Sequence, residues 1–141
     1  MRTVILAAVW LSAVGQEGGQ PYAGTWVADL AGKTYVRLEL TVTNGALAGT
    51  ISLGDIHVDS QGAVDQVTRT PAEGTPIFDI TLRDSLLSFS RKDGDDTDHF
   101  EMRLVGSAAE LRFVLTEADR RDLAEQGIPL PKPFPLRKIA R

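Results

Sequence analysis

Three side chains able to bind a metal stand at alternate positions in Asp55-x-His57-x-Asp59. On a strand, alternate residues project to one face, and imidazole between two carboxylates suits a divalent cation. Neighbours on one strand face are about 6.5–7 Å apart, too far to converge on one ion without help from another element. The pattern reads as a polar strand face. The acidic run from Asp93 to Asp98 raises calcium, but it lacks the spaced ligands and distal Glu of an EF-hand loop. A solvated hairpin loop turning at Asp93-Gly94 explains it. Neither a metal nor a cofactor is expected.

Catalytic chemistry has similarly little to build on. His57 and His99 are the two histidines, cysteine is absent, and Ser85, Ser88 and Ser90 lie outside any nucleophile-elbow motif. Thiolate nucleophiles, Cys-based zinc sites and iron–sulfur clusters are excluded outright. Glu39, Asp79 and Glu101 each sit opposite the apolar residues of an alternating run. They read as outward partners of Arg37, Arg83, Arg91 and Arg103 in cross-strand pairs rather than as a catalytic carboxylate pair. The chain is therefore not expected to be an enzyme.

The elements that carry these residues are strands. YVRLELTV, residues 35–42, puts Val36, Leu38, Leu40 and Val42 on one face and Tyr35, Arg37, Glu39 and Thr41 on the other. Asn44-Gly45 follows as a hairpin turn into ALAGTISL. A weaker segment, DIHVDSQGAVDQVTRT, and a Pro71–Pro76 loop lead to PIFDITLRD, with Phe78, Ile80 and Leu82 inward, and then to LLSFSR, HFEMRLV and ELRFVL. About eight short strands with turn-sized gaps imply antiparallel meander pairing. The expected class is all-β: an eight-stranded antiparallel meander barrel, which removes exposed edges, with a two-sheet sandwich as the alternative of equal alternation. Thr116, with Asp119 three residues on, caps a helix over about 116–126 that stops at Gly127, with Ala118 and Leu123 as its expected contacts. Prolines 129, 131, 133 and 135 make the following tail extended, and Leu136 and Ile139 suit it to pair beside residues 25–30 and close the sheet.

A chain of 141 residues is the size of one domain. MRTVILAAVWLSAVG has one basic residue, an apolar run too short to span a membrane, and small residues Ala13 and Gly15 at signal-peptidase spacing. Residues 1–15 are expected to be a secretory signal, 16–23 a flexible leader and 24–141 the barrel domain, so the protein is expected to be secreted or periplasmic. The net charge of −4 becomes one unit more negative without Arg2, and no basic stripe is present to attract nucleic acid or anionic lipid.

Gly24-x-Trp26 at the head of the first strand resembles the opening of the calycins, meaning lipocalins, fatty-acid-binding proteins and avidins, and GTWVADL…GALAGTIS is particularly similar to the first hairpin of avidin-like proteins. Thr97-Asp98-His99-Phe100 is loosely similar to a second lipocalin motif. Small exported bacterial β domains of unknown function with GTW starts are more similar still. The resemblance implies a barrel in which Trp26 plugs one end beneath a basic residue, for which Arg112 or Arg137 stands ready. Biotin binding is not implied, because no tryptophan follows Trp26. A lone Trp in such a plug needs a buried acceptor for its N–H.

The inward set is almost wholly apolar, so an open cavity would take a small apolar ligand. Leu38, Leu40, Phe78, Phe89, Phe100, Met102 and Phe113 are the candidate lining, with Tyr35, His57 or Arg69 as polar groups at the rim. A filled barrel would instead move function to the outer surface, with residues 128–141 as the segment that meets a protein partner.

Overall fold

The computed structural model describes residues 19–139, so the expected signal segment 1–15 and the start of the leader lie outside the described residues. Ten strands and one helix follow a short 3₁₀ turn, Gln20–Tyr22. They are β1 (Gly24–Leu30), β2 (Lys33–Thr43), β3 (Ala46–Leu53), β4 (Asp55–Val58), β5 (Val64–Arg69), β6 (Thr75–Arg83), β7 (Leu86–Asp93), β8 (Asp96–Val105), β9 (Ala108–Phe113), α1 (Glu117–Glu125) and β10 (Phe134–Ile139).

Eight strands close a barrel in the order β1-β2-β3-β6-β7-β8-β9-β10, every neighbour antiparallel, and β4 and β5 form a separate hairpin. The fold is thus the expected all-β meander barrel and not a sandwich. Its eighth stave is the tail: β10 lies between β9 and β1, with Thr25 opposite Ile139, Trp26 opposite Lys138 and Val27 opposite Arg137. Asn44 and Gly45, at φ 52° and 81°, turn β2 into β3.

One face of each stave points to the axis. Leu38, Ile51, Leu87, Met102 and Leu111 are 0% exposed, and Phe89 and Phe100 are 1% exposed. Burying each such side chain is worth about 1.5–3 kcal/mol. Rings fill the middle and one end: Phe89 stacks on Phe100 at 5.3 Å, Phe100 meets Phe113 at 4.8 Å, and Phe113 meets Phe134 edge-on at 6.0 Å. Tyr35 continues the chain against Phe134 at 5.7 Å.

Two bulges break the alternation read from the sequence. Ala28 faces Val36 and Asp29 faces Thr34, so Tyr35 is an extra residue on β2. A bulged residue can share the face of its neighbour, and Tyr35 is buried beside Val36 instead of joining Arg37 on the outer face. In β6 the register slips between Phe78 and Thr81, where Asp79 takes a φ of 52°. The slip reverses the parity: Ile77 and Leu82 pack inward, and Phe78 points outward opposite Ser90.

The helix is less attached than its sequence implies. Thr116 Oγ1 accepts from the Asp119 amide and the Asp119 carboxylate accepts from the Thr116 amide, a complete capping box. Yet no residue of α1 is buried: Ala118 is exposed and Leu123 only half-buried. Its charged residues favour water on nearly every side, so capping and not packing defines it.

Candidate functional site

The two ends of the barrel are covered by different means. At one end the β4–β5 hairpin folds over, placing Ile56, Val64 and Val67 against the core. Its tip is held by the tail, where the Lys132 amide donates to the Gly62 carbonyl at 2.9 Å. Gly62 sits at φ 87°, and a Cβ there would lie 2.1 Å from the Leu130 carbonyl oxygen. Beneath this cover lies an apolar recess of about 80 Å³, bordered by Tyr35, Val36, Leu53, Ile56, Phe113 and Phe134. Drug-sized ligands need about 300–1,000 Å³, so the axis of the barrel is filled by side chains.

At the opposite end the N-terminal turn crosses the opening. Trp26, 2% exposed, donates its indole N–H to the Tyr22 carbonyl at 3.0 Å, and the Tyr22 hydroxyl donates to the Ser85 carbonyl at 2.7 Å. Burial pushes the Tyr22 phenol above its usual pKa, with Arg103 pulling weakly the other way. Tyr22 and Gly19 are buried, so this part of the expected flexible leader is docked on the barrel. The cation over Trp26 is Lys138, its Nζ 5.3 Å from the ring centroid. Arg112 and Arg137 do not serve, because they pair outside the barrel with Glu101 and Asp29. Gly24 makes room for the lysine: a Cβ at Gly24 would stand 2.5 Å from Lys138 Cε.

Comparison with protein-family models, curated proteins and solved structures returned no match.

The strap made by Gln20–Tyr22 leaves two open clefts. One, of about 820 Å³, is bordered by Pro21, Tyr22, Leu47, Ile80, Leu82, Ser85 and Leu104; the other, of about 870 Å³, has a mixed rim that includes Leu40, Val42, Arg137 and Lys138. Leu47, Ile80, Leu82 and Leu104 are half-buried and pack on the core. They are inward residues left uncovered at the mouth.

Of the lining residues expected from sequence, Leu38, Leu40, Phe89, Phe100 and Met102 are at the packed centre, while Tyr35 and Phe113 border the small recess at the hairpin end. Phe78 joins none of them. The expected rim groups are also elsewhere: His57 Nδ1 is 2.7 Å from Asp65, and Arg69 Nε is 3.3 Å from Asp55, both pairs on the exposed hairpin. Leu47, Ile80, Leu82 and Leu104 are all absent from the expected lining, because inward parity does not distinguish a residue at the mouth from one at the packed centre.

The candidate metal ligands and the Ser–His pair are occupied by structural tasks. Asp59 accepts from the amides of Ala63 and Gln61, which hold its carboxyl below the usual range. Asp55, His57 and Asp59 thus have three separate partners, and no group of three or more metal-binding side chains converges among the described residues. Ser90 Oγ lies 2.8 Å from His99 Nδ1. The pair spans β7 and β8 on the outer wall next to Phe78, with Ser90 buried, so it reads as a cross-strand hydrogen bond. Arg91 bonds Asp98 at 3.0 Å and lies over Phe100.

Proposed function

We propose that this protein is an exported, non-catalytic binding protein that holds a small apolar ligand at the Tyr22 end of its barrel. One observation carries the reading: Leu47, Ile80, Leu82 and Leu104 stay half-buried around an open cleft of about 820 Å³, whereas the axis below them is packed. Water is a poor neighbour for four converging aliphatic side chains, and a ligand that replaces it gains their apolar area. The packed residues Leu38, Leu40, Phe89, Phe100 and Met102 then act as floor and support. The calycin likeness fits this reading through Gly24, Trp26 and Lys138, and export rests on the signal-like run at residues 1–15.

Titration of the full chain with the neutral probe N-phenyl-1-naphthylamine tests it. One-to-one saturable fluorescence is expected, weakened at least tenfold in Leu82→Arg and in Leu104→Asp, with thermal unfolding followed in parallel. Absence of saturable uptake by the folded wild-type chain would sink the carrier reading.

A second reading, a protein-interaction domain, is favoured by Ile128 and Leu130, which are 41% and 47% exposed at the start of the tail. The backbone around and after Leu130, with prolines at 129, 131 and 133, is already extended and loses little entropy on docking. It predicts that Ile128→Asp/Leu130→Asp abolishes capture of a partner while probe uptake is unchanged; unchanged capture would eliminate it.

A further inference from the structure

The barrel and its hairpin carry an arginine on β2, β5, β6, β7, β8, β9 and β10. Five of these guanidiniums have a carboxylate within salt-bridge reach: Arg37 with Glu39, Arg69 with Asp55, Arg91 with Asp98, Arg112 with Glu101, and Arg137 with Asp29. Arg83 and Arg103 have none among the described residues. These two share one cleft of about 410 Å³ on the outer wall, together with Thr81, Asp84, Leu86 and Ser88.

The register explains why they meet. Leu86 is opposite Arg83 on β6 and opposite Arg103 on β8, so the arginines flank it symmetrically. Strands spaced about 4.7–4.9 Å put their Cα atoms roughly 10 Å apart, within reach of two long side chains converging over Leu86. In the next row of the same face, Thr81 is opposite Ser88, adding two hydroxyl donors. Two guanidiniums on this spacing repel each other, and no carboxylate among the described residues lies within salt-bridge distance of either. Guanidinium forks match the oxygens of oxyanions bidentately, and a tetrahedral phosphate or sulfate group has oxygens enough to meet both forks at once.

We propose that Arg83 and Arg103 form a binding site for a phosphate or sulfate group on the outer wall of the barrel, independent of the apolar mouth. The neighbouring carboxylates set its strength. Glu101 is engaged by Arg112, Glu110 stands opposite Arg103 on β9, and Asp84 borders the cleft at the β6–β7 turn. Glu110 and Asp84 oppose an anion, and the site is exposed, so affinity is expected in the millimolar range at physiological salt.

Backbone amide NMR of the full chain, titrated with sodium phosphate at constant ionic strength against sodium chloride, tests the site. Saturable shifts are expected around Thr81, Arg83, Leu86, Ser88 and Arg103. Arg83→Gln and Arg103→Gln should each weaken binding at least fivefold, and Glu110→Gln should tighten it, while Arg120→Gln on α1 leaves it unchanged. Sedimentation with phosphatidylcholine vesicles containing phosphatidic acid identifies the source of the group. Retention that the double arginine variant loses assigns it to a lipid headgroup; saturation by inorganic phosphate without retention assigns it to a small molecule. Non-saturating phosphate shifts without arginine-dependent retention, or shifts identical in the folded double variant, would overturn the proposal.

Discussion

The hairpin end and the Tyr22 end of the barrel are built from the same alternating staves yet leave different amounts of apolar surface in water. At the hairpin end, Ile56, Val64 and Val67 arrive from outside the barrel and reduce the space to a recess of about 80 Å³. At the Tyr22 end, a single turn crosses the opening and leaves Leu47, Ile80, Leu82 and Leu104 half-buried. What decides whether a small barrel has room for a ligand is therefore the cover at each end, since the middle of an eight-stranded barrel is narrow enough for side chains to fill.

Paired truncations give the strongest test of that difference. Trp26→Ala and Phe134→Ala each remove a buried aromatic, and each is expected to cost about 3–5 kcal/mol in chemical denaturation. Trp26→Ala should hollow the space beneath the Tyr22 strap, at the end that carries the open clefts, whereas Phe134→Ala enlarges the recess under the hairpin, so only the former should raise N-phenyl-1-naphthylamine uptake. Equal uptake by the two variants would mean that both ends admit ligand alike.

A smaller effect is expected from Gly62→Ala, which acts on the cover alone. Its positive φ and the 2.1 Å approach of a Cβ to the Leu130 carbonyl oxygen force the hairpin tip off the tail. A loss of about 1–3 kcal/mol follows. Hydrogen exchange should report it first at the Lys132 amide, which is bonded to the Gly62 carbonyl. Unchanged protection there would show that the tail does not hold the hairpin.

Periodicity revealed the staves because each buries one face: Val36, Leu38 and Leu40 alternate in the sequence as they do in the barrel. It also revealed the closing strand, where Leu136 follows the same rule within a proline-rich tail. Parity fails wherever the backbone gains a residue. The bulges at Tyr35 and Asp79 brought one candidate inward and sent Phe78 outward, and neither carries a Gly or Pro to announce it. Segment 55–69 was weak as a barrel strand because it is none; its few apolar residues serve a cap. The calycin resemblance implies Arg112 or Arg137 as the cation over Trp26, whereas the choice of Lys138 depends on strand register and on the absence of a Cβ at Gly24. Cleft size at the Tyr22 end depends on how the strap lies, which no periodic pattern encodes.

The smallest effect concerns the seam that joins the two ends. β1 and β10 pair over three residues toward the Tyr22 end, while nearer the hairpin end Arg137 reaches Asp29 at 2.6 Å. A hydrogen bond from Thr34 and then that guanidinium hold the Asp29 carboxyl below its usual pKa. The folded form thus favours the carboxylate more than the unfolded chain does. The resulting stability is fully present above the unfolded pKa, about 3.9, and is lost as pH falls through the lower folded value. An exposed pair of this kind contributes about 0.2–1 kcal/mol. Asp29→Asn should flatten the acid limb of the stability curve by that amount. In the wild type, acid should increase amide exchange near residues 28–30 before residues 25–27, because the latter pair with β10 as well as β2, whereas the former pair with β2 alone. Simultaneous loosening of both groups would show that the seam opens as one unit and that the two ends share a single closure.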